Sequence, residues 1–261
     1  MIASSALASW QEIQREASEL IAAAGDRDLC VRIVGSAGIR MHCKDASATM
    51  DALGRPAKDL DLVVRSSDRG KLRALIEERG YEIDRDLLVA MEGHRFAFRH
   101  PGTGIDLDVF VGKLEFCHTI ELGDRWQHHA VTLPIEDLLL QKLQVHEVTQ
   151  SDLIDTAVLL ATHGVDRGGD EETIDCTYIS GLLARDWGFH RDATANLARV
   201  REAAGREVPL PGDGARRVGE ATALLSESID GAKKSMGWKM RARVGERTQW
   251  WEDVDEREET Y

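Results

Sequence analysis

Cysteine is scarce in this chain: there are four in 261 residues (Cys30, Cys43, Cys117 and Cys176), and no C-x-x-C pair. That is too few to staple a protein of this length, and the spacing excludes the usual structural zinc sites. The adjacent pairs His42–Cys43 and Cys117–His118 serve no better, because neighbours in sequence rarely face one ion. All four are expected as buried reduced thiols. Proline is also rare, at five, which excludes a Pro-rich linker protein, and the 23 glycines follow no collagen-like period. Positive charge is short as well. The 33 Lys and Arg against 46 Asp and Glu leave −13, the wrong sign for a protein that coats nucleic acid by broad phosphate neutralisation. No apolar run approaches the roughly 20 residues that span a bilayer. The opening MIASSALASWQEIQREASEL lacks a basic n-region and its apolar residues are interrupted by Gln, Glu and Arg, so it does not read as a signal peptide. The expectation is a cytoplasmic protein with no membrane partner.

What remains is an ordinary globular composition, 43% hydrophobic and 30% charged, enough for one large domain or two small ones. Residues 3–24 carry Leu7, Trp10, Ile13 and Leu20 at helical spacing. LCVRIVG at 29–35 reads as a strand running into Gly35–Ser36 and a second short helix. The polar stretch 44–57 reads as a surface loop, and KDLDLVVR at 58–65 as a second strand. Ser66, Ser67 and Asp68 offer a cap for a helix that Gly80 ends. HRFAFRH, the turn PGTG and IDLDVFV form a hairpin over 94–111. Beyond Leu133 the pattern turns helical, at 134–146, 151–164, 172–185, 186–204 and 213–229. The segment 237–251 alternates like a terminal β-hairpin around Gly245, and an acidic tail follows at 252–259.

Three features carry chemistry. At V-G-S (34–36) a strand stops and a helix starts, so unpaired backbone N–H groups and small residues allow a phosphate to approach. A structural turn that needs glycine explains the same residues. In Asp59-x-Asp61 two carboxylates share one strand face and repel, an arrangement that usually requires a cation nearby. A solvated strand face accounts equally well for that pair alone. In Asp106-x-Asp108 the same spacing recurs, with a wholly apolar run after Asp108. If the two strands are neighbours, three or four carboxylates share one surface. Such a cluster suits a pair of Mg²⁺ ions that keep waters and take substrate phosphates.

Together these residues resemble the DNA polymerase β superfamily of nucleotidyltransferases, and within it the AbiEii-type (MenT-like) bacterial enzymes. LPIEDLLLQKL with Lys142, followed by SDLIDTAVLL, is similar to that group's E-D-L-x-x-x-K-L helix and the helix after it. The likeness covers roughly 29–165. It implies an α+β architecture, a minimal nucleotidyltransferase fold with a mixed sheet flanked by helices, in a catalytic domain over 1–133. A mainly helical domain over 134–261 follows, ending in the hairpin.

The resemblance further implies that Asp59, Asp61 and Asp108 hold two Mg²⁺ ions, with Asp106 as the alternate third carboxylate. Gly35 and Ser36 would cradle the β- and γ-phosphates of ATP or another NTP, and Lys142 would counter their charge. An acidic residue on the 151–164 helix would contribute, Asp155 matching better than Asp152; a helix N-terminal role explains both as well. An acceptor hydroxyl would attack the α-phosphorus and pyrophosphate would leave. The stretch from Ser36 to Asp59 is longer than is usual in the family, a departure that touches the acceptor side rather than the metal side. Toxin-type relatives imply a tRNA acceptor and an antitoxin protein partner. Eight basic residues between 215 and 247 (Arg216, Arg217, Lys233, Lys234, Lys239, Arg241, Arg243 and Arg247) suit a tRNA groove or a solvated face. A small hydroxylated acceptor and a non-catalytic nucleotide-binding module are the alternatives. Keeping all three carboxylate positions and Gly–Ser speaks against the last. His128–His129 are expected at the surface, and Trp250–Trp251 over an apolar face.

Overall fold

The computed structural model describes residues 8–90, 93–168, 170 and 172–253. Residues 3–7 of the first expected helix and 254–259 of the acidic tail lie outside them. The chain divides into two compact units, Met1–Leu114 with Glu121–Leu138, and Glu115–Ile120 with Leu139–Tyr261.

The first unit begins with α1 (Trp10–Gly25), entered through a reciprocal capping box between Ser9 and Glu12. Next come β1 (Val31–Val34), α2 (Gly35–His42), α3 (Ser47–Ala52), β2 (Asp59–Val64), α4 (Arg69–Glu78), β3 (Glu82–Ile83), α5 (Arg85–Ala90), β4 (Arg95–Arg99) and β5 (Asp106–Val111). The five strands form one mixed sheet in the order β1-β2-β5-β4-β3. Only β2 and β5 run parallel; the other three pairings are antiparallel.

Alternation decides which face is buried. Leu60, Leu62 and Val64 of β2 and Leu107, Val109 and Val111 of β5 join one core with Ile13, Ala17 and Leu20 of α1 and Leu72, Leu75 and Ile76 of α4. The aspartates therefore occupy the opposite face. The outer edge of β1 is covered by residues 131–133, through Ile33 N–H to Val131 O (2.9 Å) and Leu133 N–H to Ile33 O (3.1 Å).

The segment expected as a loop at 44–57 is partly helical, a 3₁₀ turn at Lys44–Ala46 running into α3. Its physical reason is Arg40, buried to 2% exposure. A buried guanidinium needs acceptors, and this segment supplies Ser47 Oγ (3.2 Å), Asp51 Oδ1 (2.8 Å) and the Arg55 carbonyl (2.5 Å).

A short pair, β6 (Lys113–Glu115) and β7 (Thr119–Glu121), follows β5, and then comes α6 (Ile135–Leu143), within which the unit boundary falls. The second unit continues with α7 (Gln150–Thr162), the parallel pair β8 (Gly164–Asp166) and β9 (Thr173–Asp175), α8 (Cys176–Leu183), α9 (Trp187–Ala203), α10 (Gly214–Gly231) and α11 (Met236–Val244). The expected helix at 172–185 thus opens with a strand. Helix α10 packs on α7, α8 and α9, burying Val218, Leu225 and Ile229.

The expected terminal hairpin at 237–251 is not formed: residues 236–244 are helix α11 and 245–247 a 3₁₀ turn. The alternation of Trp238, Met240, Ala242 and Val244 is real, yet Met236, Met240 and Val244 also recur every four residues. Ser235 decides between the two periods, its Oγ accepting from Trp238 N–H at 3.0 Å as an N-cap. Met, Lys, Arg and Ala favour the helix, and Gly245 ends it at φ +60°.

A buried carboxylate ties the end of the described chain to this unit. Asp192 accepts from His118 Nε2 (2.7 Å), His146 Nδ1 (3.0 Å) and Trp250 Nε1 (3.1 Å). Trp251 stacks on His146 at 3.6 Å. Burial alone would raise the Asp192 carboxyl, but the bonds from His118, Trp250 and His146 hold it below its ordinary value. The paired tryptophans therefore cover a polar network rather than a purely apolar face. The cysteines split: Cys43 and Cys176 are buried, whereas Cys30 and Cys117 are half-buried, which corrects the expectation of four buried thiols. His128 is exposed and His129 half-buried, its Nδ1 accepting from the backbone of Val131 and Thr132.

Candidate functional site

Residues directly across a parallel pair lie on one face, and the register here sets Asp59 opposite Asp106 and Asp61 opposite Asp108. The condition left open by the sequence is met, since β2 and β5 are immediate neighbours. The four carboxylates form two rows on the sheet face opposite the core.

The next strand brings the compensation. Arg99 lies opposite Asp106 and bonds both its oxygens at 2.9 and 2.8 Å. Arg95 reaches Asp108 Oδ2 at 2.8 Å, its guanidinium 5.0 Å from the centre of the Phe110 ring. Two of the four carboxylates, Asp106 and Asp108, are thus met by guanidiniums of β4. Sequence reasoning passed over both arginines, although the hairpin RFAFR against IDLDVFV carries the signal: antiparallel pairing sets a basic strand face against an acidic one.

The two outer aspartates are not equivalent. The side chain of Asp106 is 37% exposed and shares its charge with an exposed arginine. That of Asp108 is 16% exposed, and its Oδ1 is buried without a hydrogen-bond partner among the described residues. An unpartnered buried carboxylate oxygen is costly and calls for a cation or a donor.

At the other end of the pair, Asp61 meets the start of α2. Gly35 has φ +64°, and a Cβ built there would stand 2.0 Å from Asp61 Oδ2. Only glycine lets this carboxylate lie against the backbone at a helix N-terminus. Ser36, the next residue, is buried at 6% exposure.

Among the described residues no three His, Cys, Asp or Glu side chains close around one point. A Mg²⁺ ion that draws the rest of its octahedral shell from water and phosphate needs only one or two carboxylates. The facing Asp61–Asp108 pair, with one oxygen orphaned, fits that requirement.

Lys142 and Asp155 belong to the second unit, where they meet each other. Lys142 Nζ is held by Asp155 Oδ2 at 2.9 Å and Asp152 Oδ1 at 3.0 Å, with Asp155 wholly buried. The resemblance implies that Lys142 counters phosphate charge; here its ammonium pairs with two carboxylates of α7. Asp152 also completes the capping box of α7 with Thr149. Burial pushes the Asp152 carboxyl up, while Lys142 and Thr149 together bring it below its ordinary value. A depressed carboxyl contributes stability above the ordinary carboxylate range and loses it as pH falls through the lowered value. Lys142→Met leaves two carboxylates facing each other in a buried site, so it is expected to cost about 3 kcal/mol, read as a lower urea midpoint at pH 7. An unshifted midpoint would show that the ion pairs add nothing.

Of the eight basic residues of 215–247, four are engaged within the chain. Arg216 bonds Glu220 and Asp213, Arg217 bonds the Thr162 carbonyl, Lys234 the Ile229 carbonyl, and Arg241 the carbonyls of Gly245 and Thr248.

No protein-family model matches this chain, and no curated protein matches it in sequence. Among solved structures it is similar to an antigenic nucleotidyltransferase-like protein from Paracoccidioides brasiliensis, at 15% identity and a TM-score of 0.43, over 88% of this chain and 96% of that one.

Proposed function

We propose that the chain is a metal-dependent nucleotidyltransferase that moves a nucleoside monophosphate from an NTP to a hydroxyl acceptor, releasing pyrophosphate. The observation that supports this reading best is the parallel register of β2 and β5, which faces Asp61 to Asp108 beside the left-handed Gly35. Asp59, Asp61 and Asp108 are the residues that would hold Mg²⁺, with Asp108 preferred to Asp106 for its orphaned oxygen. Bound there, the ions would neutralise the triphosphate and lower the cost of ionising the acceptor hydroxyl.

The chain's own residues do the positioning. The backbone N–H groups at Gly35 and Ser36, with the Ser36 hydroxyl, bind the phosphates beyond the reacting phosphorus, as a helix N-terminus does for any anion. The carboxylate face excludes a bare triphosphate by repulsion, so that nucleotide and metal enter together. Reaction needs only alignment and charge compensation: the acceptor oxygen bonds to the α-phosphorus as the bond to pyrophosphate breaks. Lys142 and Asp155, tied to each other, are assigned no phosphate contact in this reading. The acceptor is a tRNA end or a small hydroxylated molecule.

Incubation of the full chain with each labelled NTP and Mg²⁺, followed by mass analysis of tRNA, protein and small-molecule pools, tests the proposal. Label should appear in one pool with matching pyrophosphate; pyrophosphate release without acceptor labelling, or no reaction with any NTP, would reject it. Ser36→Ala is expected to weaken binding of a non-hydrolysable NTP by about tenfold, the cost of one charge-assisted contact. Lys142→Ala, judged on its folded fraction, should leave that affinity near native. Equal weakening in both variants would return Lys142 to the nucleotide site.

A further inference from the structure

Large apolar side chains are seldom left in water in a row, yet helix α11 does this. Met236, Met240 and Val244 are 71%, 63% and 43% exposed. Spaced four residues apart, they form a single stripe along the helix. The other side of α11 is fixed. Arg241 lies 4.7 Å over the Trp187 ring and bonds three backbone carbonyls, and Trp238 meets His190 edge-on at 5.2 Å. The stripe therefore faces outward by construction.

Cations flank it. Lys239, Arg243 and Arg247 are exposed and form no ion pair among the described residues, in a chain whose net charge is −13. We propose that α11 is a docking helix whose occupant is an acidic amphipathic helix of another protein, its apolar stripe on Met236, Met240 and Val244 and its Asp or Glu flanks on Lys239 and Arg243.

Physical arguments select that occupant. Apolar residues every four positions on one helix are what a second helix packs against, and methionine adapts to the partner's shape. A second copy of this chain would set the same patch against itself, cation on cation. A phosphate backbone would engage the cations but leave the Met and Val side chains in water. An anionic bilayer would be opposed by the chain's overall charge, and nine residues offer it little apolar surface.

The test uses the full chain and fluorescent synthetic helices of identical leucine stripe, one with glutamate flanks and one with lysine flanks. Single-stranded RNA and phosphatidylserine vesicles serve as rival probes. The glutamate-flanked helix should bind, and Met240→Glu should weaken it by about tenfold, as losing a central anchor does. Lys239→Glu with Arg243→Glu should transfer the preference to the lysine-flanked helix. These side chains are exposed, so the variants retain the fold, and a reversal of preference is something an unfolded variant does not give. Equal affinity for both peptides, no response to Met240→Glu, or tighter binding of RNA or vesicles that ignores Met240 would overturn the proposal.

Discussion

Asp61→Asn is expected to lower NMP transfer by about a thousandfold, the upper range for removing one preorganised electrostatic group from a reaction site, while the protein stays folded. The substitution keeps volume and shape and removes only charge. Asp61 occupies the centre of the candidate site, between Asp108 across the strand pair and the backbone of Gly35. The melting temperature of the variant should therefore stay near that of the native protein. Asp106→Asn is the internal contrast, because that carboxylate is more exposed and satisfied by Arg99 on both oxygens. It should retain most of the transfer. A turnover that survives Asp61→Asn, measured by pyrophosphate release, would remove the metal assignment; equal losses in the two variants would remove the distinction between the rows.

Gly35→Ala is expected to cost at least about 2 kcal/mol and to abolish transfer. Left-handed backbone alone costs a β-carbon roughly 1–2 kcal/mol, and here the new methyl would also stand 2.0 Å from Asp61 Oδ2. One of the two must move. Gly54 separates the contributions: its φ is +73° but nothing lies within 4 Å of its would-be Cβ. Gly54→Ala therefore carries the strain without the collision, and should keep full activity with a modest loss of stability. Combining Gly35→Ala with Asp61→Gly removes the colliding carboxylate and should restore part of the stability but none of the transfer. Thermal melts of the native protein, Gly35→Ala, Asp61→Gly and the double variant decide this, and strict additivity would show that the two residues do not touch.

Much of the first unit was legible because its signals are local. Alternation marked β2 and β5, and the D-x-D spacing put both carboxylates of each strand on one face. Adjacency of those strands was not legible, since it depends on which strand inserts beside β2 and no residue near Asp61 records that choice. Lys142 was visible as a basic residue in a helix, but its partners sit ten and thirteen positions away on the next helix. Pairing across a helix–helix contact leaves no periodic mark. Arg40 was likewise passed over: burial of a guanidinium within α2 reorganised a stretch rich in turn formers into α3. At 237–251 the misreading had a different origin. Alternate positions were apolar, and the period of two concealed a period of four that Ser235 and the helix-forming residues between made the stronger.

The parallel pairing of β2 with β5 also fixes when the carboxylate face comes into being. Asp61 and Asp108 are 47 positions apart in the chain, and a whole excursion through α4, β3, α5 and β4 must be completed before they meet. Closing such a loop is slow compared with forming a hairpin or a helix. During synthesis, a nascent chain that has emerged only as far as residue 90 carries Asp59 and Asp61 but neither Arg95 nor the strand that faces them. In the proposed reading the half-built site cannot grip an ion from two sides, so binding of a triphosphate would await closure of the sheet. Folding and loading would thereby be ordered in time by topology alone.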